Sequence, residues 1–459
     1  MIGRLLACFF VFYTYIAAAD FDEASAFYEK HDFSAAFAEF KRLAELGIRD
    51  AQYSLGAMYY RGEGVESNAI DAYAWMSLAI EGRNEGIDKF RAAIAKVYSS
   101  LDSSQQKTAD QRLVQLTELY GSKAIATGLA PTLTGAQESA ELRPIKKVIP
   151  RYPIEMQFDG GMGMIDIMFG VGKDGLVRDM GVLNCSDRRL VAVTIDALKS
   201  WQFEPAVVNG KPVEVYGNTQ RFVFQMNGVK FDEKQVLKHL DRYRSLAESG
   251  GEKEQYNYAL ALEVIPSYTK VKVDGRDANR WYFNSASAGN PKAQFSLGKN
   301  MLYGQSCSVD AVRSMRWLEL AANQNVPDAQ YLLAIEMLSG VRLLKNEEVA
   351  MRWLQKASDA NFTNAQMKLA WVYATHPDKT VRNGKLAKVY IDKVSDEVFD
   401  LRTYYEIKAA VAAELGSFEE AVKWQKESRS EMERHDLPLA SADAKLEAYK
   451  ARRAWVEEL

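Results

Sequence analysis

The chain has 459 residues, of which 47% are hydrophobic and 26% are charged, so its composition is that of a folded globular protein and not of a disordered chain. Its 58 Lys and Arg stand against 61 Asp and Glu, and the formal net charge of −3 argues against a general nucleic-acid binder, because such domains usually carry a basic excess. The four His and three Cys are far apart in the sequence. No metal site with a recognisable ligand spacing is therefore predicted, and no cofactor.

Residues 1–19 have the pattern of a secretory signal peptide. A short positive start is followed by the apolar run Leu5–Ala19, and the small residues Ala17–Ala19 fit a cleavage site. The run is shorter than the roughly 20 apolar residues that a membrane helix needs. We predict export to the periplasm with cleavage of this segment; an uncleaved anchor is the alternative. In that oxidising space, Cys185 and Cys307 are expected to be buried thiols, although a disulfide between them stays open.

A repeat with a period of 36 residues runs through the second half of the chain. Ala-Gln pairs begin at positions 293, 329 and 365, and Trp281, Trp317 and Trp353 keep the same spacing. Near the front, Trp75 follows Ala51 by 24 residues, which is also the offset between the later Ala-Gln pairs and the tryptophans that follow them. Chance does not readily give so many matching offsets, so we predict a repeat array.

Each repeat is predicted to fold as two helices. In the first helix, small and apolar residues such as Ala293, Leu297 and Gly298 recur at helical spacing and so share one face. A glycine-rich turn such as Arg61–Val65 then ends the helix. The tryptophan of the second helix is expected to fill the gap opposite the small face. A unit of this kind cannot bury its apolar face alone, so neighbouring units must stack.

The segment Ala51–Val65, AQYSLGAMYYRGEGV, resembles a Sel1-like repeat, a relative of the tetratricopeptide repeat. The resemblance covers about 21–125 and 230–459. It implies an α-solenoid whose usual activity is protein binding or scaffolding and not catalysis. Some family members carry a disulfide within each repeat, and this chain lacks the cysteines for it.

The repeats are interrupted by a turn-rich linker at 127–146 and then by a β-rich stretch. The spacing of apolar and turn residues predicts two strands joined by a hairpin, then a helix, a turn and a last strand. The predicted elements are Gly163–Val171, Lys173–Gly175, Val177–Cys185, Arg188–Ser200, Asn209–Gly210 and Val213–Met226.

The β-rich stretch resembles the C-terminal domain of the energy transducer TonB. Five motifs occur in order: Tyr152-Pro153 with Gln157 after it, a strand led by Gly163, the turn Asp174-Gly175, the run Trp201-Gln-Phe203-Glu-Pro205, and Arg221–Gly228. In that family an edge strand pairs with a short segment of an outer-membrane transporter, which is strand addition. The resemblance therefore implies partner contacts at Gln157, Arg221, Phe222, Val223, Phe224 and Gln225. Residues of core or turn type, by contrast, are expected to serve structure: Tyr152, Pro153, Gly163, Trp201, Phe203, Pro205, Trp75, Trp281, Trp317 and Trp353. A proline at Phe224 is expected to weaken strand-type binding.

The sequence thus predicts a mostly α protein, an α-solenoid interrupted by a small α+β domain. The predicted boundaries are 1–19 for the signal peptide, 20–126 for the first repeats, 127–146 for the linker, 147–228 for the TonB-like domain and 229–459 for the second repeats. The expected function is a periplasmic, non-enzymatic adaptor that binds proteins, possesses no nucleic-acid site and does not span the membrane once mature. Two alternatives stay open: a TonB-class energy-transducer component for outer-membrane transport, and an enzyme within a repeat scaffold. The cleavable signal, the 11 prolines of the whole chain and the long sequence after the domain all depart from the TonB pattern.

Overall fold

The computed structural model describes residues 21–81, 87–134, 142–158, 162–208, 210–225, 233–267, 269, 271–394 and 398–457. The predicted signal peptide, 1–19, lies outside the described residues. Within them, the fold is largely helical and surrounds a small sheet-containing module at 144–224, as predicted. No described helix combines the length and the apolar character needed to cross a bilayer.

The described residues between 21 and 128 form seven helices, which we call the N-terminal block; the last helix includes Thr127 and Gly128, which were predicted to belong to the linker. Helix α2 begins at a cap in which the Asp32 carboxylate accepts a hydrogen bond from the Ala35 amide, and α6 begins with a reciprocal capping box between Asp102 and Gln105. The helices are α1 (Phe21–Glu29), α2 (Phe33–Glu45), α3 (Arg49–Arg61), α4 (Ala69–Ala79), α5 (Asp88–Ser99), α6 (Ser103–Tyr120) and α7 (Ser122–Gly128).

The module follows with seven strands and two helices. Three antiparallel strands form its main sheet in the order β3-β2-β7, and two small two-stranded sheets pair β1 with β4 and β5 with β6. The elements are β1 (Pro144–Lys146), α8 (Ile154–Phe158), β2 (Gly163–Val171), β3 (Val177–Cys185), α9 (Arg189–Lys199), β4 (Gln202–Phe203), β5 (Ala206–Val208), β6 (Lys211–Val213) and β7 (Val215–Phe224). The predicted strands, hairpin and helix are confirmed within two residues, and Asn209 of the predicted turn lies outside the described residues.

The C-terminal array consists of paired helices between Glu233 and Lys450. They are α10 (Glu233–Ser249), α11 (Glu252–Val264), α12 (Gly275–Ser287), α13 (Pro291–Tyr303), α14 (Ala311–Asn323), α15 (Pro327–Ser339), α16 (Glu347–Asp359), α17 (Thr363–Thr375), α18 (Gly384–Lys393), α19 (Leu401–Glu414), α20 (Phe418–Arg434) and α21 (Ala440–Lys450). A short 3₁₀ turn at Ile265–Ser267 extends α11.

The small residues of the repeat allow the two helices of a unit to approach closely. A Cβ built on Gly56 would lie 2.6 Å from the Met76 side chain, and one on Gly298 would lie 2.9 Å from the Leu318 side chain. Both distances are too short for a real side chain, so these positions require glycine. Opposite this face, the indoles of Trp75, Trp317 and Trp353 are almost fully buried, whereas Trp281 is half-buried against its neighbours.

The recurring glutamine of the Ala-Gln pair joins each unit to the one before it. The Nε2 atoms of Gln52, Gln294 and Gln330 donate to the carbonyl oxygens of Ala44, Ala286 and Ala322, at 3.1, 3.1 and 3.0 Å. Each acceptor lies at the C-terminal end of the preceding helix, where carbonyl groups lack partners within the helix. The repeated pair therefore has a structural explanation, since alanine fits the interface and glutamine satisfies buried backbone.

The start of the predicted linker packs against the C-terminal array. The Trp317 indole N–H donates to the Leu129 carbonyl at 2.9 Å, and an Arg313 guanidinium N–H donates to the Ala130 carbonyl at 2.7 Å. The start of α1 also reaches this array, because Asp22 pairs with Lys356 at 2.8 Å. The N-terminal block and the linker that follows it thus each contact the C-terminal array.

Candidate functional site

Both faces of the module's sheet are covered. Every residue of β2 is buried. On one face, Ile165, Ile167 and Phe169 pack with Leu190 and Leu198 of α9 in the module's own core. The other face lies against the first helices of successive units in the C-terminal array, which we call the inner helix row: α11, α13, α15, α17 and α19.

Strand β7 contacts the first part of the inner helix row. The Arg221 guanidinium binds the Asp166 carboxylate at 2.6 Å within the sheet, and it also donates to the Glu263 carbonyl of α11 at 2.7 Å. At Gly217 the approach is so close that a Cβ would lie 1.7 Å from the Tyr303 hydroxyl of α13. Gly217 also has φ +68, a conformation that glycine adopts without strain.

A buried ion pair joins the start of β7 to α17. The Lys368 ammonium lies 3.1 Å from the Glu214 carboxylate and donates to the Tyr216 hydroxyl at 2.7 Å, and that hydroxyl in turn donates to Glu214. Burial opposes ionisation of Glu214, but the charge of Lys368 and the hydroxyl of Tyr216 outweigh it and lower the pKa of Glu214 to about 2. The contact is therefore between two charged groups at neutral pH.

A second charged cluster joins β3 to α19 and α21. Arg178 lies 3.0 Å from Glu406, and Lys445 lies 2.7 Å from the other oxygen of the same carboxylate. Burial raises the pKa of Glu406, yet the charges of Lys445 and Arg178 dominate and leave it below its usual range. Because a charge buried without a partner is costly, the docked arrangement requires each of these groups to keep its partner.

The last helices of the array complete the contact. Leu176, in the hairpin between β2 and β3, is buried with Met432 and Leu437 around the loop between α20 and α21. From β1, Lys146 pairs with Asp436 in that loop at 3.0 Å. The module therefore contacts the array from α11 to α21, and its sheet packs against the inner helix row.

The two edges of the sheet differ in how their backbone groups are satisfied. On β3, the Val177 carbonyl accepts a hydrogen bond from Arg402 at 2.5 Å, and the Met180 carbonyl accepts one from Asn364 at 3.2 Å. Both donors belong to the inner helix row. Side chains of the array thus cap this edge and leave little of it for another strand.

Strand β7 forms the opposite edge and, within the described chain, pairs only with β2. The Ser186 amide donates to the Met164 carbonyl, so the backbone groups of Met164 point toward β3. In an antiparallel ladder the direction alternates along the strand. With Met164 opposite Val223 and Asp166 opposite Arg221, the backbone groups of Val223 and Arg221 point away from β2.

The structure places the predicted partner residues in three environments. Phe222 and Phe224 belong to the module core, and Arg221 is engaged by Asp166 and Glu263. Val223 is half-buried and Gln225 is exposed. Gln157 belongs to α8, but its side chain lies outside the described residues. The register also changes one expectation: Phe224 pairs with Gly163 and its amide points toward β2, so a proline there would disrupt the sheet itself.

The residues expected to serve structure occupy core and turn positions. Trp201 and Phe203 are buried, and the Trp201 indole donates to the Val148 carbonyl at 2.8 Å. Tyr152 packs edge-on against Phe224. Pro153 is buried and Pro205 is exposed.

The charged residues of the inner helix row were not predicted from the sequence. One signal existed for Lys368, because the aligned positions three residues after the other Ala-Gln starts hold Ser296 and Leu332. A charge at a position that is small or apolar elsewhere indicates a local partner. Nothing in the sequence pattern identified Glu214 as that partner.

The described residues hold no group of three metal-ligating side chains. Cys185 and Cys307 are both free, and Cys307 is buried with its thiol against the Asn300 carbonyl. Burial raises the pKa of Cys307 to about 11, so this thiol is an unreactive packing group.

Comparison with known proteins gives two family matches. The model of the C-terminal region of the Gram-negative bacterial TonB protein matches residues 149–226, and the Sel1 repeat model matches 49–84, 291–326 and 327–362. The chain carries Sel1 repeats and a TonB C-terminal domain. Protein TonB of Pseudomonas aeruginosa is 29% identical over 100 residues, which are 22% of this chain and 29% of that protein. The chain thus matches less than a third of that relative's length.

Solved structures with similarity include a protective antigen of uropathogenic Escherichia coli with an SLR fold. It is 18% identical, with 95% of this chain and 74% of that chain covered and a TM-score of 0.37. The solution structure of the Pseudomonas aeruginosa TonB C-terminal domain is 28% identical, with 21% of this chain and 97% of that chain covered and a TM-score of 0.19. The family matches indicate a protein-binding scaffold with a role associated with the Gram-negative envelope.

Proposed function

We propose that this protein is an exported, periplasmic adaptor that binds an envelope protein by strand addition to β7 of its TonB C-terminal domain. The Sel1 array acts as the scaffold that holds this domain in a fixed orientation. The partner contributes an extended segment whose backbone pairs with the outer edge of β7, and an outer-membrane transporter is the candidate class. No catalytic step is assigned to the protein.

The observation that carries this proposal is the difference between the two edges of the sheet. The array caps the edge of β3 with Arg402 and Asn364. On β7, the outward carbonyl of Arg221 accepts a hydrogen bond from the neighbouring Gln220 side chain, which a partner strand can displace. An edge strand with outward backbone groups is a template for another strand.

The adaptor is favoured over the energy-transducer alternative by the way in which the domain is attached. Buried ion pairs at Lys368 and Glu406 connect the domain to the same chain's repeats. A domain that is held in this way presents its edge from a scaffold and does not extend on a spacer toward a distant partner.

The proposal is tested with Val223→Pro, because proline at this position removes an amide that points away from β2 and leaves the internal ladder intact. The measurement is fluorescence anisotropy of labelled peptides from the periplasmic N-termini of outer-membrane transporters, titrated with the full chain. We expect at least a tenfold loss of affinity, since backbone bonds supply most of the binding in strand addition. The matched control Val223→Thr keeps the amide and should bind as the unchanged protein does.

Circular dichroism and the melting temperature verify that the proline variant is folded. Unchanged peptide binding by a folded Val223→Pro chain would contradict strand addition at β7. Failure of every transporter peptide to bind the unchanged protein would contradict the transporter class as partner.

A further inference from the structure

An exposed apolar and basic segment lies at the start of the module. Ile149 is 87% exposed, and Ile145 and Ile154 are each 65% exposed. Single exposed apolar residues are common on protein surfaces and need no explanation. Three such isoleucines within ten residues concentrate exposed apolar surface in one segment, and clustered apolar surface marks contact sites.

The same segment is strongly basic. Between positions 142 and 155 it holds four basic residues and one acidic residue, in a chain whose net charge is −3. Arg143, Lys147 and Arg151 are exposed beside the isoleucines. A positive, apolar patch on an otherwise acidic protein selects a negatively charged, apolar partner.

The segment is held in place by its backbone and by two lysine side chains, of which Lys146 pairs with Asp436 at 3.0 Å. The Val148 carbonyl accepts the indole N–H of Trp201 at 2.8 Å, and the Lys147 ammonium lies 4.7 Å from the centre of the same ring. Pro150 and Pro153 restrict the backbone on the far side. The main chain of the segment is anchored to the module core in this way. The isoleucine side chains are therefore held on its exposed side.

We propose that this segment, the basic isoleucine patch (residues 142–155), binds the surface of a membrane that contains anionic phospholipid. The isoleucine side chains enter the boundary between head groups and acyl chains, and the exposed side chains of Arg143, Lys147 and Arg151 bind the phosphates. Contacts of this kind combine buried apolar area with attraction to anionic lipid.

The exposure of the isoleucines favours a lipid surface over an acidic protein segment. Sites that recognise the side chains of a peptide receive them in a pocket or cleft of the surface. A side chain that is 87% exposed projects outward and cannot line such a cleft. A bilayer interface accepts projecting side chains, because its molecules rearrange around them.

The test is sedimentation of the full chain with vesicles of pure phosphatidylcholine and of phosphatidylcholine with 30% phosphatidylglycerol. The readout is the partition coefficient onto the anionic vesicles divided by that onto pure phosphatidylcholine. Any vesicle binding by residues 1–19 is then common to all variants. We expect the unchanged protein to prefer the anionic vesicles. Ile149→Asp should lower partition onto them about tenfold, because an interfacial apolar side chain is replaced by a repelled charge.

The matched control is Val114→Asp in α6, where the native valine is 58% exposed and remote in sequence from the patch. It makes the same chemical change and should leave the ratio within twofold of the unchanged protein. An equal loss in this control, or no preference of the unchanged protein for anionic vesicles, would overturn the proposal. Binding of a poly-glutamate peptide that Ile149→Asp abolishes, without vesicle binding, would assign the patch to an acidic protein and also overturn it.

Discussion

Lys368→Met tests whether buried charges hold the TonB C-terminal domain on the Sel1 array. The Lys368 side chain is 9% exposed and supplies the largest favourable charge acting on Glu214. The substitution keeps most of the apolar stem and removes the ammonium, so Glu214 and Tyr216 lose a shared partner. The partly buried carboxylate then loses its main counter-charge.

Two independent considerations give the size of the effect. Lowering the pKa of Glu214 from 4.5 to about 2 corresponds to about 3 kcal/mol of interaction with its surroundings. Removing one partner from a buried ion pair costs about 3–5 kcal/mol. We therefore expect Lys368→Met to lower the free energy of unfolding by about 3 kcal/mol and to speed amide exchange in β7.

The assay is urea unfolding followed by tryptophan fluorescence, with hydrogen exchange of the strands measured by mass spectrometry. The matched control is Lys388→Met on α18, because Lys388 pairs with Asp392 at 2.7 Å but both side chains are 57% exposed. Exposed pairs contribute about 0–1 kcal/mol, so this control should change little. Equal effects of the two substitutions would show that the pair between Lys368 and Glu214 stabilises the protein no more than an exposed pair does.

Two further predictions concern the same contact. Gly217→Ala should destabilise docking by several kcal/mol, because a Cβ there would overlap the Tyr303 hydroxyl. Gly210→Ala is the control, since Gly210 is also at positive φ but has no atom within 4 Å of a built Cβ, and it should cost only about 1–2 kcal/mol of backbone strain. Urea titration compares the free energies of unfolding of the two variants, and similar losses would contradict the close approach at Gly217. The pKa of Glu214 is lower in the folded than in the unfolded protein, so the stability that Glu214 supplies is present above about pH 4.5 and is lost as the pH falls toward about 2. The melting temperatures of the unchanged protein and of Glu214→Gln should therefore converge as the pH is lowered through this range. Parallel curves would contradict the role of Glu214.

The sequence was sufficient for the architecture because local rules decide it. The 36-residue spacing of the tryptophans and of the Ala-Gln pairs results from helix packing within each unit and predicts the repeats. The alternation of apolar and polar residues between turn glycines predicts the strands of the domain. Gly56 and Gly298 are an example: glycine is needed at both positions because the second helix of the unit packs against it, and this contact recurs along the chain.

The docking of the domain could not be predicted in the same way. It depends on contacts such as Glu214 with Lys368 and Arg178 with Glu406, which join residues more than 150 positions apart and occur once each. A single pair leaves no periodic signal. Likewise, hydrophobic patterning identified β7 as a strand, but only the register with β2 shows that Val223, and not Phe224, directs its amide outward.

The fixed position of the domain on the inner helix row is the claim on which the adaptor proposal depends. It is tested most directly by electron-electron double resonance between spin labels introduced as unnatural amino acids at Ala192 and Val389, which are exposed on α9 and α18. We expect one narrow distance distribution at neutral pH that broadens in Lys368→Met. A broad distribution in the unchanged protein would contradict it, because the domain would then move freely relative to the array.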